Sequence, residues 1–327
     1  MIKQKDECFL FKNQDKKLDL SPMKIESIII SNKAMISTQA ISLALENNID
    51  LVFLDRYGFP IGRVWFSKMG STALIRRKQL DAANCELGLN LVLDLIRQKV
   101  NNQLAFLKKL KYARPDKKEL FQAPLNTIEG SLEALDRNFK DLDESRLIIM
   151  GLEGTAGRAY FSCISKIMPE KFRFKGRSKR PAKNQFNAVL NYCYGVLYSR
   201  VEKACIIAGL DPFVGFMHTD NYNKKSLVFD LIEPFRIFAE QTAVYLFTGK
   251  KAKNEYFDIK EHSCSLNDKG KPVVIESLNR HLEEKVRYKR RNVKRKYIIS
   301  HEAHKLANIL LEDEAMAHPE WLDIKEF

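Results

Sequence analysis

Four side chains in two separate segments are of the types that hold a catalytic metal ion. In GLEGTAGRAYF, Glu153 lies among small residues, which let a ligand or another backbone approach closely. In GFMHTDNYNKKSLVFDLIEPFR, His218 precedes two acids that are three residues apart, Asp230 and Glu233. On one helical turn these acids would share a face, and a bound cation would relieve their repulsion. One imidazole with two or three carboxylates suits Mg²⁺ or Mn²⁺ and suits a structural Zn²⁺ poorly.

Both segments also have simpler interpretations. The small residues around Glu153 are typical of a helix-packing stripe, with the acid left in solvent. His218 could be a hydrogen-bonded loop residue, and the two acids could complement the dipole at the start of a helix ahead of Pro234. The segments alone leave these alternatives open.

The rest of the sequence gives little support to other kinds of catalytic site. It contains no GxSxG nucleophile elbow, no P-loop and no GxGxxG motif. The remaining histidines lack cysteines at zinc-finger spacing: His262, His281, His301, His304 and His318. The cysteines show neither CxxC spacing nor a dense framework, which predicts reduced core thiols: Cys8, Cys85, Cys163, Cys193, Cys205 and Cys264.

The start of the chain and its apolar runs predict a cytoplasmic protein without a membrane partner. The first 17 residues lack the apolar stretch of a secretory signal. No run of about 18 apolar residues follows, so no membrane-spanning helix is expected.

The charge balance favours a polyanionic partner. Lys and Arg outnumber Asp and Glu by 55 to 41, a formal net charge of +14. Two basic runs with interleaved aromatic residues, at 171–183 and 285–296, predict contacts with nucleic acid, although solvated faces are the usual alternative. The arginines of these runs that we expect to contact DNA are Arg173, Arg177, Arg180, Arg290 and Arg291.

Apolar periodicity divides the chain into two domains and predicts an α+β fold class. Short apolar runs with turn signals predict a small β-rich domain, residues 1–70, with strands at 8–11, 25–30, 51–54 and 61–66 and one helix at 38–47. From residue 71 to 327 a helical period predicts a larger, nearly all-α domain. Its helices are predicted within 71–100 and at 132–138, 152–167, 186–208, 234–247 and 302–311.

With these residues in view, the chain resembles the CRISPR-associated protein one family, the integrases that insert new spacers into CRISPR arrays. The family has a Glu-Gly element followed by Ala and a Tyr-Phe pair, and Glu153, Gly154 and Tyr160-Phe161 are similar to it. Its second element is Gly-x-x-His followed by Ser-Leu-x-x-Asp-Leu-x-Glu-Pro-Phe-Arg, which segment 215–236 reproduces. Further similarity lies at NAVLNYCYGVL and LVFLDRYGFPIGRV, so four ordered matches cover nearly the whole chain.

The resemblance implies residue roles, partners and an activity. Glu153, His218 and Glu233 would be metal ligands, with Asp230 beside them as a fourth catalytic residue and Mg²⁺ or Mn²⁺ as the metal. The amino-terminal domain would be β-sandwich-like and used in dimerisation, and the all-α domain would be catalytic. A homodimer would join a dimer of CRISPR-associated protein two and act on double-stranded spacer precursor and the CRISPR repeat.

The implied chemistry is endonuclease cleavage and transesterification of phosphodiesters in DNA. A metal ion would polarise the phosphodiester while a 3′-hydroxyl or water attacks. The cations expected near the reacting phosphate are Arg158, Lys225 and Arg236. Two alternatives stay open: a mobile-element integrase of the same superfamily, and a non-catalytic nucleic-acid scaffold in which the carboxylates hold a structural ion.

Overall fold

The structure is a computed structural model that describes residues 1–13, 16–31, 33–55, 57–58, 60–64, 73–218 and 224–311. The chain divides into two compact units, Met1–Met69 and Gly70–Phe327. The end of the strand predicted at 61–66 and the domain boundary predicted between residues 70 and 71 lie outside the described residues.

The first unit combines two small sheets with one helix. Its elements are β1 (Ile2–Lys5), β2 (Cys8–Lys12), β3 (Lys17–Leu20), β4 (Ser27–Ile30), α1 (Thr38–Glu46), β5 (Asp50–Leu54) and β6 (Pro60–Val64). The strands β1, β2 and β3 form an antiparallel sheet. In the second sheet β4 pairs parallel with β5, and β6 pairs antiparallel with β5. The chain enters α1 at Ser37, whose hydroxyl accepts the backbone N–H of Ala40 at 3.2 Å.

One apolar core holds this unit together. It takes Ile2 and Phe9 from the first sheet, Ile28 and Leu51 from the second, and Leu43 from α1, each almost fully buried. Burying a side chain of this size contributes about 1.5–3 kcal/mol. The strands predicted at 8–11, 25–30 and 51–54 and the helix at 38–47 are confirmed, whereas β1 and β3 were not predicted because each is four residues long with at most two apolar residues.

The second unit is mainly helical. Its helices are α2 (Ala73–Ala83), α3 (Glu86–Tyr112), α4 (Glu119–Leu135), α5 (Leu142–Ile167), α6 (Gln185–Ile207), α7 (Ser226–Leu231), α8 (Arg236–Thr248), α9 (Gly270–Glu283) and α10 (Arg295–Leu311). A single 3₁₀ turn, Glu233–Phe235, joins α7 to α8. Asp141 and Asn184 cap α5 and α6 by accepting backbone N–H groups of the first helical turn.

Two β-hairpins lie within the second domain, which the sequence predicted to be nearly all α. β7 (Phe257–Lys260) pairs with β8 (Ser263–Leu266), and β9 (Lys285–Tyr288) pairs with β10 (Arg291–Lys294), both antiparallel. The second hairpin falls on the basic run, where the alternation of Val286 and Tyr288 with charged residues has the period of a strand. The α+β class is confirmed, with these hairpins added to the helical unit.

The structure also bears on the membrane and cysteine predictions. Within the described ranges, none of the helices has both the length and the apolar character needed to cross a bilayer. All six cysteines are described and none is in a disulfide. Four are buried as predicted, but Cys85 is exposed and Cys8 is only partly buried.

Candidate active site

A buried lysine joins two of the predicted carboxylates. Lys99 lies in the middle of α3, and its side chain is only 10% exposed. Its ammonium contacts Oε1 of Glu153 on α5 and lies 2.5 Å from Oε2 of Glu233 in the 3₁₀ turn. Burial would lower the pKa of Lys99, but the two carboxylates outweigh burial and raise it, so the side chain keeps its charge. Glu153 and Glu233 therefore share one cation.

Glu233 is held on its other side by an arginine. Arg236 donates to Glu233 from Nε at 2.8 Å and from Nη2 at 2.9 Å, a two-point contact that fixes the carboxylate plane. The turn itself is tied to α3, because Nδ2 of Asn102 donates to the carbonyl of Pro234 at 2.8 Å. Burial would raise the pKa of Glu233, but the charges and hydrogen bonds of Arg236 and Lys99 lower it to about 2.

Glu153 is the more open member of the pair. Its side chain is 27% exposed, against 6% for Glu233. The glycine one turn further along α5 leaves room on this face of the helix: a Cβ built on Gly157 meets only Oε1 of Glu153, at 3.9 Å. A ligand can therefore approach Glu153 from the side of α5 on which Gly157 lies.

His218 is positioned by a buried carboxylate. Asp230 on α7 accepts the backbone N–H groups of Phe216 at 2.6 Å, Met217 at 3.0 Å and His218 at 3.2 Å. Its Oδ1 also lies 2.5 Å from Nδ1 of the His218 ring. A carboxylate is a pure acceptor, so Nδ1 carries a proton, and in the neutral form of the ring the lone pair is on Nε2. These four contacts use the acceptor sites of Asp230, which places it behind His218 as a positioning group.

The backbone before His218 is tightly packed and held by hydrogen bonds on its N–H and C=O groups. A Cβ on Gly215 would lie 2.6 Å from Cβ of Ser226 and 2.9 Å from Oδ2 of Asp230, so only glycine fits beside α7. On the other side of the segment, Arg146 of α5 donates to the carbonyls of Met217 at 3.0 Å and Phe216 at 3.2 Å. The backbone leading to His218 is thus fixed through both its N–H and its C=O groups.

A second buried layer lies next to the carboxylate pair. The ring of Tyr194 lies under the guanidinium of Arg236, 4.9 Å away, and its hydroxyl donates to Glu240 at 2.7 Å. Gln103 of α3 also contacts Glu240, at 3.5 Å. Burial raises the pKa of Glu240 and outweighs the opposing effects of Tyr194 and Lys99. This layer supports the arginine that holds Glu233.

The donor chemistry of the site fits a divalent metal. Among the residues that the structure describes, no three His, Cys, Asp or Glu side chains converge closely enough to form a metal cluster. Glu153 and Glu233 nevertheless share a cation, the ammonium of Lys99, which marks a position where positive charge is stabilised. The Asp230 contact to Nδ1 of His218 is the arrangement by which proteins orient a metal-binding imidazole.

The residues predicted to contact DNA fall into two groups. Three are engaged inside the protein: Arg236 binds Glu233, Lys225 binds Glu202 at 2.5 Å, and Arg177 binds Asn187 and Asn191. The others have exposed side chains: Arg158, Arg173, Arg180, Arg290 and Arg291.

The loop of the first basic run is anchored to α6. Asn187 donates to the carbonyl of Gly176, and Asn191 donates to the carbonyls of Ser178 at 3.1 Å and Lys179 at 2.6 Å. Desolvation lowers the pKa of Lys179, and the nearby charge of Arg236 lowers it further. Lys179 therefore lies where its charge is felt by the carboxylate site.

Sequence reasoning missed Lys99, Asn102 and Gln103. Their only signal is that polar side chains occupy positions 99, 102 and 103 of α3, where the spacing of Leu95 and Phe106 predicts apolar ones. A lysine and two amides on the buried face of a helix need buried partners, and the site supplies them.

Comparison with known proteins assigns the chain to a family. A family model described as CRISPR associated protein Cas1 matches residues 1–280. A protein of Archaeoglobus fulgidus named CRISPR-associated endonuclease Cas1 1 is 36% identical over 291 residues, which are 83% of this chain and 82% of that protein.

Solved structures share the fold. One described as a casposase bound to integration product has a TM-score of 0.82 and 22% identity, and the match covers 100% of this chain and 92% of that one. A chain of a Cas6-RT-Cas1–Cas2 complex has a TM-score of 0.79 and 21% identity, with 99% of this chain and 35% of that one covered. At these identities the structures show the fold alone, whereas the sequence matches confirm the resemblance seen in the motifs. The chain belongs to the Cas1 family of CRISPR-associated proteins.

Proposed function

We propose that the chain is a divalent-metal-dependent DNA endonuclease and integrase that inserts spacer DNA into a CRISPR array by transesterification. The observation that carries the proposal is the pair of carboxylates, Glu153 and Glu233, that shares a buried cation in a chain of the Cas1 family. Its curated relative in Archaeoglobus fulgidus is named an endonuclease. The solved structures with the same fold include a casposase on its integration product.

Each residue of the proposed site has a role that its contacts support. Glu153 and Glu233 would hold Mg²⁺ or Mn²⁺, and His218 would add its Nε2, because Asp230 accepts the hydrogen bond from the other ring nitrogen and orients the ring. The metal would supply Lewis-acid polarisation of the scissile phosphodiester. Arg236 keeps Glu233 ionised, which is the state that a metal ligand requires.

The proposed reaction exchanges one phosphodiester for another. The oxygen of a 3′-hydroxyl forms a bond to phosphorus, the bond from phosphorus to the leaving 3′-oxygen breaks, and the proton passes from the attacking to the leaving hydroxyl by way of solvent. With water as the attacker the same site cleaves DNA. The exposed Arg158 and the neighbouring Lys179 would offset the charge that builds on the phosphate oxygens.

The proposed partners are DNA, a second copy of this chain and a Cas2 dimer. The DNA would be a double-stranded spacer precursor and the CRISPR repeat, and the β-rich first unit would serve dimerisation. A solved Cas1–Cas2 complex with the same fold supports the Cas2 assignment. The net charge of +14 suits a DNA partner.

A mobile-element integrase is the second candidate, favoured by the casposase fold match, which covers nearly all of both chains. The two candidates differ in their target DNA. Strand transfer that depends on a CRISPR repeat supports the first, and transfer that is indifferent to the repeat supports the second.

Substitution of one ligand tests the activity. We expect Glu153→Gln to bind labelled DNA as the wild type does but to lose strand transfer in Mn²⁺ by on the order of 100-fold or more, because it removes a ligand charge. Glu144→Gln, an exposed acid on the same helix, is the matched control and should keep activity. Undiminished strand transfer by Glu153→Gln contradicts the metal assignment, whereas a wild-type protein that binds DNA but transfers no strands would leave the non-catalytic scaffold as the better description.

A further inference from the structure

The second basic run is half neutralised by the protein itself. Glu283 binds Lys294 at 2.7 Å and Lys296 at 2.6 Å. Arg295 binds Glu284 at 2.5 Å, and Lys289 lies 3.1 Å from Glu302. The other four basic side chains of the run are exposed or nearly so, and within the described part of the chain no acid pairs with them: Lys285, Arg287, Arg290 and Arg291.

The strand register places two of the unpaired cations on one face of the hairpin. In β9 and β10, Lys285 lies opposite Lys294, Arg287 opposite Asn292, and Tyr288 opposite Arg291. Because side chains alternate along a strand and opposed residues share a face, Lys285 and Arg287 project on one side with Asn292 and the Glu283-bound Lys294. Val286, Tyr288, Val293 and Arg291 project on the other side.

The apolar side of the hairpin is fixed to α10. Tyr288 is buried, its hydroxyl donates to Glu302, and its ring is stacked on His301 with 6.2 Å between centroids. Glu302 is fully buried and also holds Lys289. The hairpin therefore has one attached face and one exposed face, and its cations are pre-oriented.

The tip of the hairpin directs further charge outward. Lys289 and Arg290 form the two-residue turn, and both have positive φ angles, 45° and 65°, as type I′ turns require. Lys289 reaches back to Glu302, so its charge is held by the protein. Arg290 and the next residue, Arg291, are exposed at the tip.

We propose that the exposed face and tip of this hairpin form a clamp for the phosphate backbone of duplex DNA, made by Lys285, Arg287, Arg290 and Arg291. The inference rests on the proposed function for its choice of DNA as the polyanion. Residues two apart on a strand are about 6.8 Å apart, so the cations form a row along which successive phosphates can bind. Asn292 is the only uncharged polar side chain on the exposed face, so the clamp contacts phosphates and does not read the sequence.

Two double variants of the full chain separate this clamp from general positive charge. Lys285→Ala/Arg287→Ala removes two unpaired charges, and Lys294→Ala/Lys296→Ala removes two that Glu283 holds. The probe is a fluorescent duplex DNA, used in two unrelated sequences, with affinity measured over a range of salt concentrations. We expect the first variant to bind both duplexes more weakly and to lower the salt slope by about 0.9 for each phosphate contact removed. The second should behave like the wild type.

A third variant distinguishes the loss of a DNA contact from misfolding. Arg290→Gly removes the tip charge and places glycine at a positive φ, so the turn should form at least as well. Its melting temperature should not fall, while its DNA affinity should, and Arg290→Lys should keep most of the affinity. Equal affinity losses for the two double variants, or wild-type affinity for Lys285→Ala/Arg287→Ala, would overturn the clamp.

The clamp and the proposed activity can fail separately. Wild-type strand transfer combined with unchanged binding by the hairpin variants refutes the clamp alone. Weakened binding by those variants in a protein that transfers no strands supports the clamp and refutes the activity.

Discussion

Replacement of Asp230 by asparagine changes one atom of a buried carboxylate on which four donors converge. In the favoured orientation, the remaining oxygen keeps the N–H groups of Phe216 and Met217, and the new amide nitrogen faces His218. That nitrogen donates, so Nδ1 of His218 must become the acceptor and the ring proton must move to Nε2. The variant keeps its loop but loses the lone pair with which His218 would bind a metal.

The magnitude follows from the contacts that are lost. The backbone N–H of His218, 3.2 Å from Oδ1, is left facing another donor, which costs about 1–3 kcal/mol. The bonds to the other two amides weaken because the acceptor is no longer charged. We expect the free energy of unfolding to fall by about 2–4 kcal/mol. Loss of an outer-shell partner should lower Mn²⁺ affinity by about 10- to 100-fold.

Urea unfolding and Mn²⁺ titration calorimetry measure the two effects. Asp211→Asn is the matched control, because Asp211 lies on the same loop and its partly exposed side chain accepts one backbone N–H, from Phe213 at 2.9 Å, with Nε of Arg76 no closer than 4.0 Å. The control should stay within about 0.5 kcal/mol of the wild type. An Asp230→Asn variant with wild-type stability, or with wild-type Mn²⁺ affinity, would refute this account of how His218 is positioned.

Three further substitutions probe the groups around the site. Lys99→Met removes the cation that the two carboxylates share, so the free energy of unfolding should fall by about 3–5 kcal/mol. Added Mn²⁺ should then stabilise the variant more than it stabilises the wild type, as thermal denaturation would show. Burial raises the pKa of Glu240, so the contribution of this carboxyl to stability is complete below its unfolded pKa of about 4.3 and is lost as pH rises through the folded pKa. Glu240→Gln should make the free energy of unfolding fall less steeply with pH, which urea unfolding at several pH values measures. Gly215→Ala forces its Cβ against Ser226 and should cost about 1–3 kcal/mol in the same assay.

Each of these expectations has a distinct contrary result. Equal Mn²⁺ stabilisation of wild type and Lys99→Met would show that the ammonium does not share the position of a metal. A Glu240→Gln variant with the same pH profile as the wild type would mean that this carboxyl is ionised in the folded protein. Full stability of Gly215→Ala would mean that the segment can move away from α7.

The fold class could be predicted from the sequence, and the acidic residues and the histidine could be singled out as candidate site residues, because both depend on local patterns. Periodicity separates strands from helices, and the spacing of His218, Asp230 and Glu233 carries the family resemblance. The distinct role of Asp230 could not be predicted, because three of its four partners are backbone N–H groups that no residue type reveals. The ligand roles of Glu153, His218 and Glu233 stay predictions.

Tertiary contacts account for the other differences. The two acids that Lys99 contacts, Glu153 and Glu233, lie 54 and 134 residues away in sequence, so no local pattern connects them. The second basic run was treated as one charged surface, whereas pairing with Glu283, Glu284 and Glu302 divides it into held and exposed charges. Net charge predicts a polyanionic partner, but only the fold shows which charges remain available to it.

The polar residues of α3 fix the relative positions of three contacts in the site. Lys99, Asn102 and Gln103 reach Glu233, the Pro234 carbonyl and Glu240 from a single turn of one rigid element. One residue inserted ahead of Lys99 would rotate all three by about 100° and shift them by about 1.5 Å along the axis. Insertions and deletions should therefore be tolerated in the surface connection that follows α3, but not in α3 up to Gln103. An alignment of functional relatives should accordingly contain no gaps between Glu86 and Gln103.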